Sequence, residues 1–288
     1  MDPAARQRLV RGLREVVGER YAFDDPYEMR LYQYDASPET ALPDVVVIPA
    51  SADEVARVVK ICADAGVPIV ARAAASSLAG GTVPVAHGVV ITFPRMNRIL
   101  EIDVDNLRAV VEPGVVNIAL SQALKPHGYY YVPDPSSQGA CTIGGNVGTN
   151  AGGPHTLLYG VTVNHVTGLE VALATGELVQ LGAGKASEAI GYDLTGLFVG
   201  SEGTMGIVTR IWVKLAPLPP LQKTLLAIFQ TSRPQAAASP PSSGMASSRR
   251  RSRCWTRYRS RRSRPPPMRA TRSMPARCSC SRWTASNR

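Results

Sequence analysis

Residues 133–160 read PDPSSQGACTIGGNVGTNAGGPHTLLYG and contain seven glycines, three prolines and five Ser or Thr residues. With so few large apolar side chains before Leu157, this stretch cannot build a core by itself. Glycine is favoured where the backbone must approach another group closely or adopt positive φ. We therefore expect residues 144–146 and 150–153 to arrange backbone N–H groups around an anionic or planar ligand. The alternative is a glycine-rich surface turn, although turn glycines usually occur singly or in pairs.

The net charge of +10 conceals two regions of opposite character. Residues 231–288 hold 15 of the 32 basic residues, all of them Arg, and none of the 22 acidic ones, so residues 1–230 carry a net charge of −5. These last 58 residues also contain no Leu, Ile, Val or Phe. They cannot bury enough apolar surface to offset the loss of chain entropy, so we expect a disordered tail.

Targeting signals are not evident in the sequence. The first 18 residues are polar and charged, unlike a signal peptide. No stretch reaches the roughly 18 apolar residues of a transmembrane helix. Residues 1–230 contain two cysteines, Cys62 and Cys141, which we interpret as small buried residues rather than as a disulfide framework. We therefore expect a cytoplasmic protein, with a peripheral position on the inner face of the membrane as the alternative.

Hydrophobic periodicity predicts alternating helices and strands in residues 1–215. The predicted helices lie at 4–17, from a capping box at 51–54 to Gly66, and at 115–125. The predicted strands lie at 44–49, 67–71, 89–93, 99–103, 108–112, 166–174, 177–181 and 207–215. This order indicates an α+β fold with a mixed first layer and a more antiparallel second layer.

Three loops between these elements, 72–81, 133–160 and 200–206, carry a family resemblance. Together they resemble the FAD-binding domain of the vanillyl-alcohol-oxidase (PCMH) type of flavoprotein. The runs GYDLTGLFVGSEGTMGIVT at 191–209 and NHVTGLEVALATGE at 164–177 resemble most closely the branch that contains the FAD-linked glycolate oxidases and D-lactate dehydrogenases. The resemblance implies an FAD-binding domain of two α+β subdomains at 43–220. A helical lead-in would precede it at 1–42, and 221–288 would hold the start of a strand and then the tail.

The resemblance also implies which residues contact FAD. The first loop contributes Arg72, Ala73, Ala74, Ala75, Ser76, Ser77, Leu78, Gly80 and Gly81; the second contributes Pro133, Thr142, Gly144, Gly145, Asn146, Thr149, Asn150, Gly152, Gly153 and His155; the third contributes Glu202, Gly203, Gly206, Ile207 and Val208. The first loop would wrap the pyrophosphate, the second would approach the flavin and pyrophosphate, and the third would flank the ribose and adenine. Because no Lys or Arg cluster occurs here, backbone amides and hydroxyls would bind the phosphates. No Rossmann fingerprint is present.

The first loop departs from the family pattern at two positions. The family usually reads Arg-Gly-Ala-Gly-Thr, whereas this chain reads Arg72-Ala73-Ala74-Ala75-Ser76. If either new alanine requires positive φ, it costs about 1 kcal/mol or more and crowds the phosphates. We predict that the double substitution of Ala73 and Ala75 by Gly tightens FAD binding. Related enzymes attach FAD covalently through a His in this loop; no His or Cys occurs in it here, so we expect non-covalent FAD.

The substrate-binding domain of the family is not recognisable in this sequence. Relatives carry a second domain that covers the flavin and supplies substrate ligands and a His-rich metal or catalytic motif. Nothing after Pro220 resembles that domain, and no His follows His165. We therefore assign no catalytic and no metal-binding residue and expect no turnover by this chain alone. His155 is interpreted either as a neighbour of the flavin ring or as a polar loop residue.

The tail composition is typical of GC-rich coding DNA read out of frame. With suitable codons, residues 230–236 read from the third base encode DVEAAG, and residues 273–285 in the same frame encode DAGAVLLLEVDG, which resembles a core strand. We therefore hypothesise a reading-frame slip near residues 229–230, with early termination. The alternative is a functional tail, in which residues 249–264 bind RNA through Arg contacts and stacking of Trp255 and Tyr258.

The resemblance implies oxidation of a small 2-hydroxy acid by hydride transfer to FAD, with electrons leaving to an acceptor subunit. Two further hypotheses stay open. One is a non-catalytic flavin-binding subunit. The other is a relative of the flavin-dependent enolpyruvyl-sugar reductases, to which the run at 191–209 is less similar. We expect no specific nucleic-acid partner.

Overall fold

The structure is a computed structural model that describes residues 2–182 and 191–220, together with the backbone of three strands at 222–229, 254–256 and 276–284. The chain divides into two compact units. The first comprises residues 1–153 and 160–218, and the second comprises residues 154–159 and 219–288. The predicted FAD-binding loops lie in the first unit, apart from residues 154–159.

The predicted helices and strands all occur in the predicted order, but the structure adds further short elements, including two helices within 133–160, which the sequence analysis treated as a loop. The helices are α1 (Pro3–Val17), α2 (Pro26–Met29), α3 (Ala52–Asp64), α4 (Asn117–Leu124), α5 (Ile143–Thr149), α6 (Thr156–Tyr159) and α7 (Leu194–Phe198). The strands are β1 (Ala22–Phe23), β2 (Val45–Val47), β3 (Ile69–Arg72), β4 (Val89–Thr92), β5 (Ile99–Asp103), β6 (Arg108–Val111), β7 (Tyr129–Tyr130), β8 (Val166–Ala172), β9 (Leu178–Leu181), β10 (Ile207–Lys214), β11 (Ala216–Pro217), β12 (Gln222–Phe229), β13 (Cys254–Thr256) and β14 (Ala276–Thr284). Short 3₁₀ turns at 19–21, 30–32, 125–127 and 162–165 complete the set.

The first sheet has four strands in the order β1-β2-β4-β3. Strands β2, β4 and β3 are parallel, and β1 pairs with β2 in the antiparallel direction. Helix α3 connects β2 to β3, as a parallel pair requires a crossover connection. Helices α1 and α3 bury one face against this sheet, with Leu13, Val55 and Val58 packed in one core with Val47 and Ile91. The predicted mixed layer is confirmed.

The second sheet has five strands in the order β5-β6-β10-β8-β9, and all neighbouring strands are antiparallel. Helices α4, α5 and α7 contribute to its core, in which Leu120, Ile143 and Phe198 lie with Leu169 and Ile211. Strands β8 and β9 form the predicted hairpin. The predicted antiparallel second layer is confirmed.

The start of α3 differs in one detail from the predicted capping box. The Ser51 hydroxyl accepts the backbone N–H of Glu54 at 3.2 Å, as the motif requires. The Glu54 carboxylate, however, accepts the N–H of Ala50 at 2.7 Å instead of that of Ser51. It also lies 3.7 Å from the Arg95 guanidinium. The helix still begins where the sequence predicts, because the Ser51 cap is made.

The second unit contains α6 and a three-stranded sheet in the order β12-β14-β13. Strand β14 pairs with β12 and β13 in the antiparallel direction. The disorder predicted for 231–288 falls mostly outside the described residues, but β13 and β14 are two segments of it that form strands. Strands pair through backbone N–H and C=O groups. An open strand edge such as that of β12 can therefore pair with another segment whatever side chains that segment carries.

Candidate cofactor groove

A groove opens at the carboxyl ends of the parallel strands β3 and β4. It consists of two adjoining cavities of about 700 Å³ and about 470 Å³, measured with their open mouths. The two cavities share the wall residues Ala73, Ser77, Thr82, Gly145 and Thr149. They therefore lie side by side. The carboxyl ends of parallel strands are where open α/β sheets commonly bind ligands.

Glycines allow the segments around this groove to approach one another closely. A Cβ atom on Gly144 would lie 2.8 Å from the Pro113 carbonyl oxygen. A Cβ atom on Gly145 would lie 2.9 Å from the Ala73 methyl group, and one on Gly206 would lie 2.6 Å from Val171 Cγ1. Distances below 3.0 Å are not tolerated without movement of the backbone or of the neighbouring group. Side chains at these positions would therefore push the walls of the groove apart.

The loop that follows β3 presents donors without protein acceptors. The backbone N–H groups of residues 74–78 donate no hydrogen bond to any residue that the structure describes. The hydroxyl oxygen of Thr82, which belongs to both cavities, is buried and also has no hydrogen-bond partner among the described residues. A buried polar group normally finds a partner. A ligand with acceptor oxygens would satisfy these groups.

The groove carries little charge of its own. Among the described residues that line the two cavities, Glu202 carries a charged side chain, and none is Lys or Arg. Neutral backbone donors are a known alternative to cations for holding phosphate. The expectation that the N–H groups of residues 144–146 face a ligand is wrong, because those of Gly144 and Asn146 donate to the carbonyls of Pro113 and Thr142, and that of Gly145 donates to the Thr142 hydroxyl.

Two groove residues adopt a backbone conformation that is unfavourable for side chains other than glycine. Ala75 has φ +51° and Glu202 has φ +52°. The left-handed region costs non-glycine residues about 1–2 kcal/mol. Such strain often accompanies ligand-binding segments. Of the two alanines that replace family glycines, Ala75 therefore requires positive φ, and Ala73 does not.

Arg72 directs its side chain to the N-terminal lead-in. Its Nη1 donates to the Tyr34 carbonyl at 2.6 Å and its Nη2 donates to the Leu31 carbonyl at 3.3 Å. The guanidinium also lies 5.7 Å from the centre of the Tyr32 ring. Burial lowers the pKa of Arg72, although the nearby tyrosines and Asp35 counteract this, and the group stays charged at neutral pH. The Arg72 side chain therefore fixes the end of β3 and does not line the groove.

Most of the residues that the sequence singled out line the two adjoining cavities of the groove. Those in its walls are Ala73, Ala74, Ala75, Ser76, Ser77, Gly81, Thr142, Gly144, Gly145, Thr149, Glu202, Gly203, Gly206, Ile207 and Val208. Residues distant in sequence are thereby brought together from three loops. Their contact with FAD stays a prediction.

The other predicted residues are Arg72, Leu78, Gly80, Pro133, Asn146, Asn150, Gly152, Gly153 and His155, and they do not line the two cavities. Several of them have structural contacts. Asn150 ends α5 in the left-handed conformation and accepts the N–H of Val163 through its side chain at 3.0 Å. Gly153 has no room for a side chain, because a Cβ atom would lie 2.2 Å from the Asp134 carbonyl oxygen.

His155 belongs to the second unit, where its ring lies 6.5 Å from that of Tyr159. The hypothesis that it approaches the flavin therefore stays a prediction.

The groove includes wall residues that the sequence interpretation missed. They are Ala71, Thr82, Phe93, Pro113, Ser137, Cys141, Gly148, Phe198 and Ser201. Gly148 was detectable, since it continues the spacing of Gly144 and Gly145. Phe93 and Phe198 carry no local signal, because an apolar residue beside a strand or helix end is usually interpreted as core.

The comparisons with known proteins show the family to which the chain belongs. Residues 43–182 match the FAD binding domain family. The chain is 50% identical over 210 residues to glycolate oxidase subunit GlcD of Bacillus subtilis, which covers 72% of this chain and 45% of that protein. It is 42% identical over 179 residues to D-lactate dehydrogenase of Anaerostipes hadrus, which covers 62% of this chain and 38% of that protein.

The fold of the chain is similar to that of a solved structure. The chain matches the crystal structure of p-cresol methylhydroxylase with substrate bound, with a TM-score of 0.71 and 23% identity over 80% of this chain and 47% of that one. The chain contains an FAD-binding domain of the vanillyl-alcohol-oxidase type. This confirms the family and the cofactor that the three loops indicated.

The groove fits FAD on the evidence of its own donors. The N–H groups of residues 74–77, which lie in the groove wall and find no acceptor in the described part of the chain, suit the two phosphates. Apolar side chains of Phe93, Phe198 and Ile207 suit flat ring systems.

The chain spans about half the length of the curated relatives it matches. Among the residues that the structure describes, no helix has both the length and the apolar character that crossing a bilayer demands. In the same residues, His, Cys, Asp and Glu side chains do not gather in threes around a common metal position.

Proposed function

We propose that this chain supplies the FAD site of an oxidoreductase that oxidises a small 2-hydroxy acid. The observation that carries the proposal is the glycine-walled groove, whose loop amides lack acceptors among the described residues. The 50% identity to glycolate oxidase subunit GlcD and the 42% identity to a D-lactate dehydrogenase support the substrate class. When bound, FAD would accept a hydride from the carbon atom that bears the substrate hydroxyl.

The residues of the chain would have three tasks in this reaction. The amides of residues 74–77 would hold the phosphates without a cation. Gly144, Gly145 and Gly206 would keep the walls close enough to enclose the cofactor. Phe93 and Phe198 would exclude water from part of the groove and thereby keep the bound cofactor in one orientation.

Turnover requires groups that the groove wall does not supply. A 2-hydroxy acid carries a carboxylate, which needs a cation to hold it in the site. The described walls hold neither His nor Lys nor Arg. We therefore propose that this chain binds FAD but needs further residues, from outside these walls, to oxidise its substrate. Sequencing the gene beyond codon 220 in all three frames would test whether another frame encodes them.

We further propose that electrons leave the flavin to an acceptor subunit, as the family resemblance implies. An acceptor protein that copurifies with the chain and oxidises its reduced flavin would support this. Rapid reoxidation by oxygen, without any such partner, would contradict it.

The experiment that tests FAD binding compares two alanine substitutions in the same glycine-rich stretch. Purified chain is titrated with FAD and the quenching of flavin fluorescence is followed. Gly144→Ala should abolish or strongly weaken binding, because its Cβ atom would lie 2.8 Å from the Pro113 carbonyl oxygen. Gly139→Ala is the matched control, since no atom lies within 4 Å of the Cβ position there. Equal affinities for the two variants, or no binding by the parent chain, would refute the proposed site.

A second experiment tests substrate oxidation with the FAD-loaded chain under anaerobic conditions. We expect no bleaching of the flavin on addition of glycolate or D-lactate to the chain alone. Bleaching would show that the walls already contain the full substrate machinery and would overturn the proposed need for further residues. If a longer reading frame is found, its product should bleach with one of these two acids.

A further inference from the structure

The phosphate-facing loop is tied to a segment that precedes the family match. Residues 30–37, here called the lead-in clasp, make four hydrogen bonds to the region 72–80. Arg72 donates to the carbonyls of Leu31 and Tyr34, and the backbone N–H of Ala36 donates to the Ser77 carbonyl at 3.1 Å. The fourth bond runs from the Gly80 N–H to Asp35 Oδ2 at 3.0 Å. These bonds join positions 38 to 45 residues apart.

Asp35 is the central residue of this clasp. It is 7% exposed, and each of its oxygens accepts a different backbone N–H. Oδ1 accepts that of Ser37 at 2.7 Å, and Oδ2 accepts that of Gly80. Although burial opposes ionisation, the hydrogen bonds from Ser37 and Gly80 and the charge of Arg72 hold the pKa of Asp35 below its ordinary value. The carboxylate is therefore charged at neutral pH, and its hydrogen bonds are of the stronger, charge-assisted kind.

We propose that Asp35 is a positioning residue that holds the loop of residues 73–80 in the conformation that accepts the phosphates of FAD. This inference rests on the proposed function, since it takes the loop as the phosphate site. Asp35 touches neither cavity, so it acts through Gly80. A loop that is competent for only a fraction of the time binds its ligand more weakly by that fraction. The clasp raises the fraction before the ligand arrives.

The structure offers a matched control for this inference. Asp44 Oδ2 accepts the N–H of Gly88 at 2.8 Å, across 44 residues of sequence, compared with 45 for Asp35 and Gly80. Asp44 and Gly88 precede β2 and β4, whereas the groove lies at the other ends of these strands. Neither residue lines the groove. Asp44→Asn therefore removes the charge from the same kind of hydrogen bond in the same sheet without reaching the loop.

The experiment measures FAD affinity, thermal stability and hydrogen exchange of the Gly80 amide in the parent chain, Asp35→Asn and Asp44→Asn. Asparagine has one acceptor oxygen in place of two, so one of the N–H groups of Ser37 and Gly80 loses its partner. We expect Asp35→Asn to weaken FAD binding about tenfold and to speed Gly80 exchange. Asp44→Asn should lower the melting temperature and leave the dissociation constant for FAD within about twofold.

The outcomes separate this inference from the proposed function. If the parent chain does not bind FAD, the proposed function fails. If the parent chain binds FAD and Asp35→Asn binds it equally well, or if both Asn variants lose the same affinity, the positioning role of Asp35 is refuted. Should Asp35→Asn not fold, Arg72→Lys tests the clasp from its other side, because lysine cannot span both carbonyls as the guanidinium does. Unchanged affinity in Arg72→Lys would also refute the clasp.

Discussion

The left-handed conformation of Ala75 leads to a specific prediction about cofactor affinity. With φ +51°, the Ala75 Cβ atom conflicts with its own backbone, whereas glycine adopts this conformation about as readily as negative φ. We predict that Ala75→Gly binds FAD more tightly than the parent chain. Relief of strain is worth about 1–2 kcal/mol, and the greater freedom of glycine in the unfolded chain offsets about 0.5–1 kcal/mol of it.

The remainder, about 1 kcal/mol, sets the size of the effect. If the free loop leaves the strained conformation for part of the time, about 1 kcal/mol changes the population of the competent conformation about fivefold. The dissociation constant for FAD should therefore fall by up to about fivefold. Unfolding of the chain without FAD should shift to slightly higher temperature, since the strain is also present in the free structure.

Ala73→Gly provides the control for this experiment. Ala73 does not have positive φ, and its methyl group lies 2.9 Å from the position of a Cβ atom on Gly145. Its removal relieves no strain and increases chain entropy, so it should not improve binding. Flavin fluorescence titration of both single variants and of the double variant gives the dissociation constants for FAD that test the prediction. The reasoning is refuted if Ala75→Gly binds FAD no more tightly than the parent, or if Ala73→Gly accounts for the gain of the double variant.

Three further predictions concern other parts of the first unit. Thr142→Ala should lower the free energy of unfolding by about 1 kcal/mol in urea denaturation, because its hydroxyl accepts the N–H of Gly145 at the start of α5; no change would show that the cap contributes nothing. Burial raises the pKa of the Cys62 thiol from 9.0 to about 12, so the native chain should resist alkylation there at pH 8, and peptide mapping should find label at Cys62 only after denaturation. The same shift should make stability fall as pH rises above about 9, because the unfolded thiol loses its proton first; a Cys62→Ala variant should lack this component, and an identical slope in both would contradict it.

The sequence by itself determined the fold class, the order of elements and the family. Periodicity was sufficient for α1, α3 and α4, because a face such as that of α3 must repeat at helical spacing to reach a core, whereas the shorter helices were not predicted. The glycine-rich loops were equally visible, since glycine at Gly144 and Gly145 has no role in a core and suits close approach. These features are local, and local patterns are what a sequence displays directly.

Only the tertiary structure showed which residues of each loop line the groove and which contact other segments of the chain. The sequence could not separate Ala73 from Ala75, because the φ of a loop residue depends on where both ends of the loop are held. It placed Arg72 among the cofactor contacts, whereas its side chain donates to carbonyls 38 and 41 residues earlier. The pairing of Asp35 with Gly80 likewise joins two loops that no local pattern connects. Such contacts arise only when the sheet has brought distant segments together, so they follow from the fold and not from the spacing of residues along the chain.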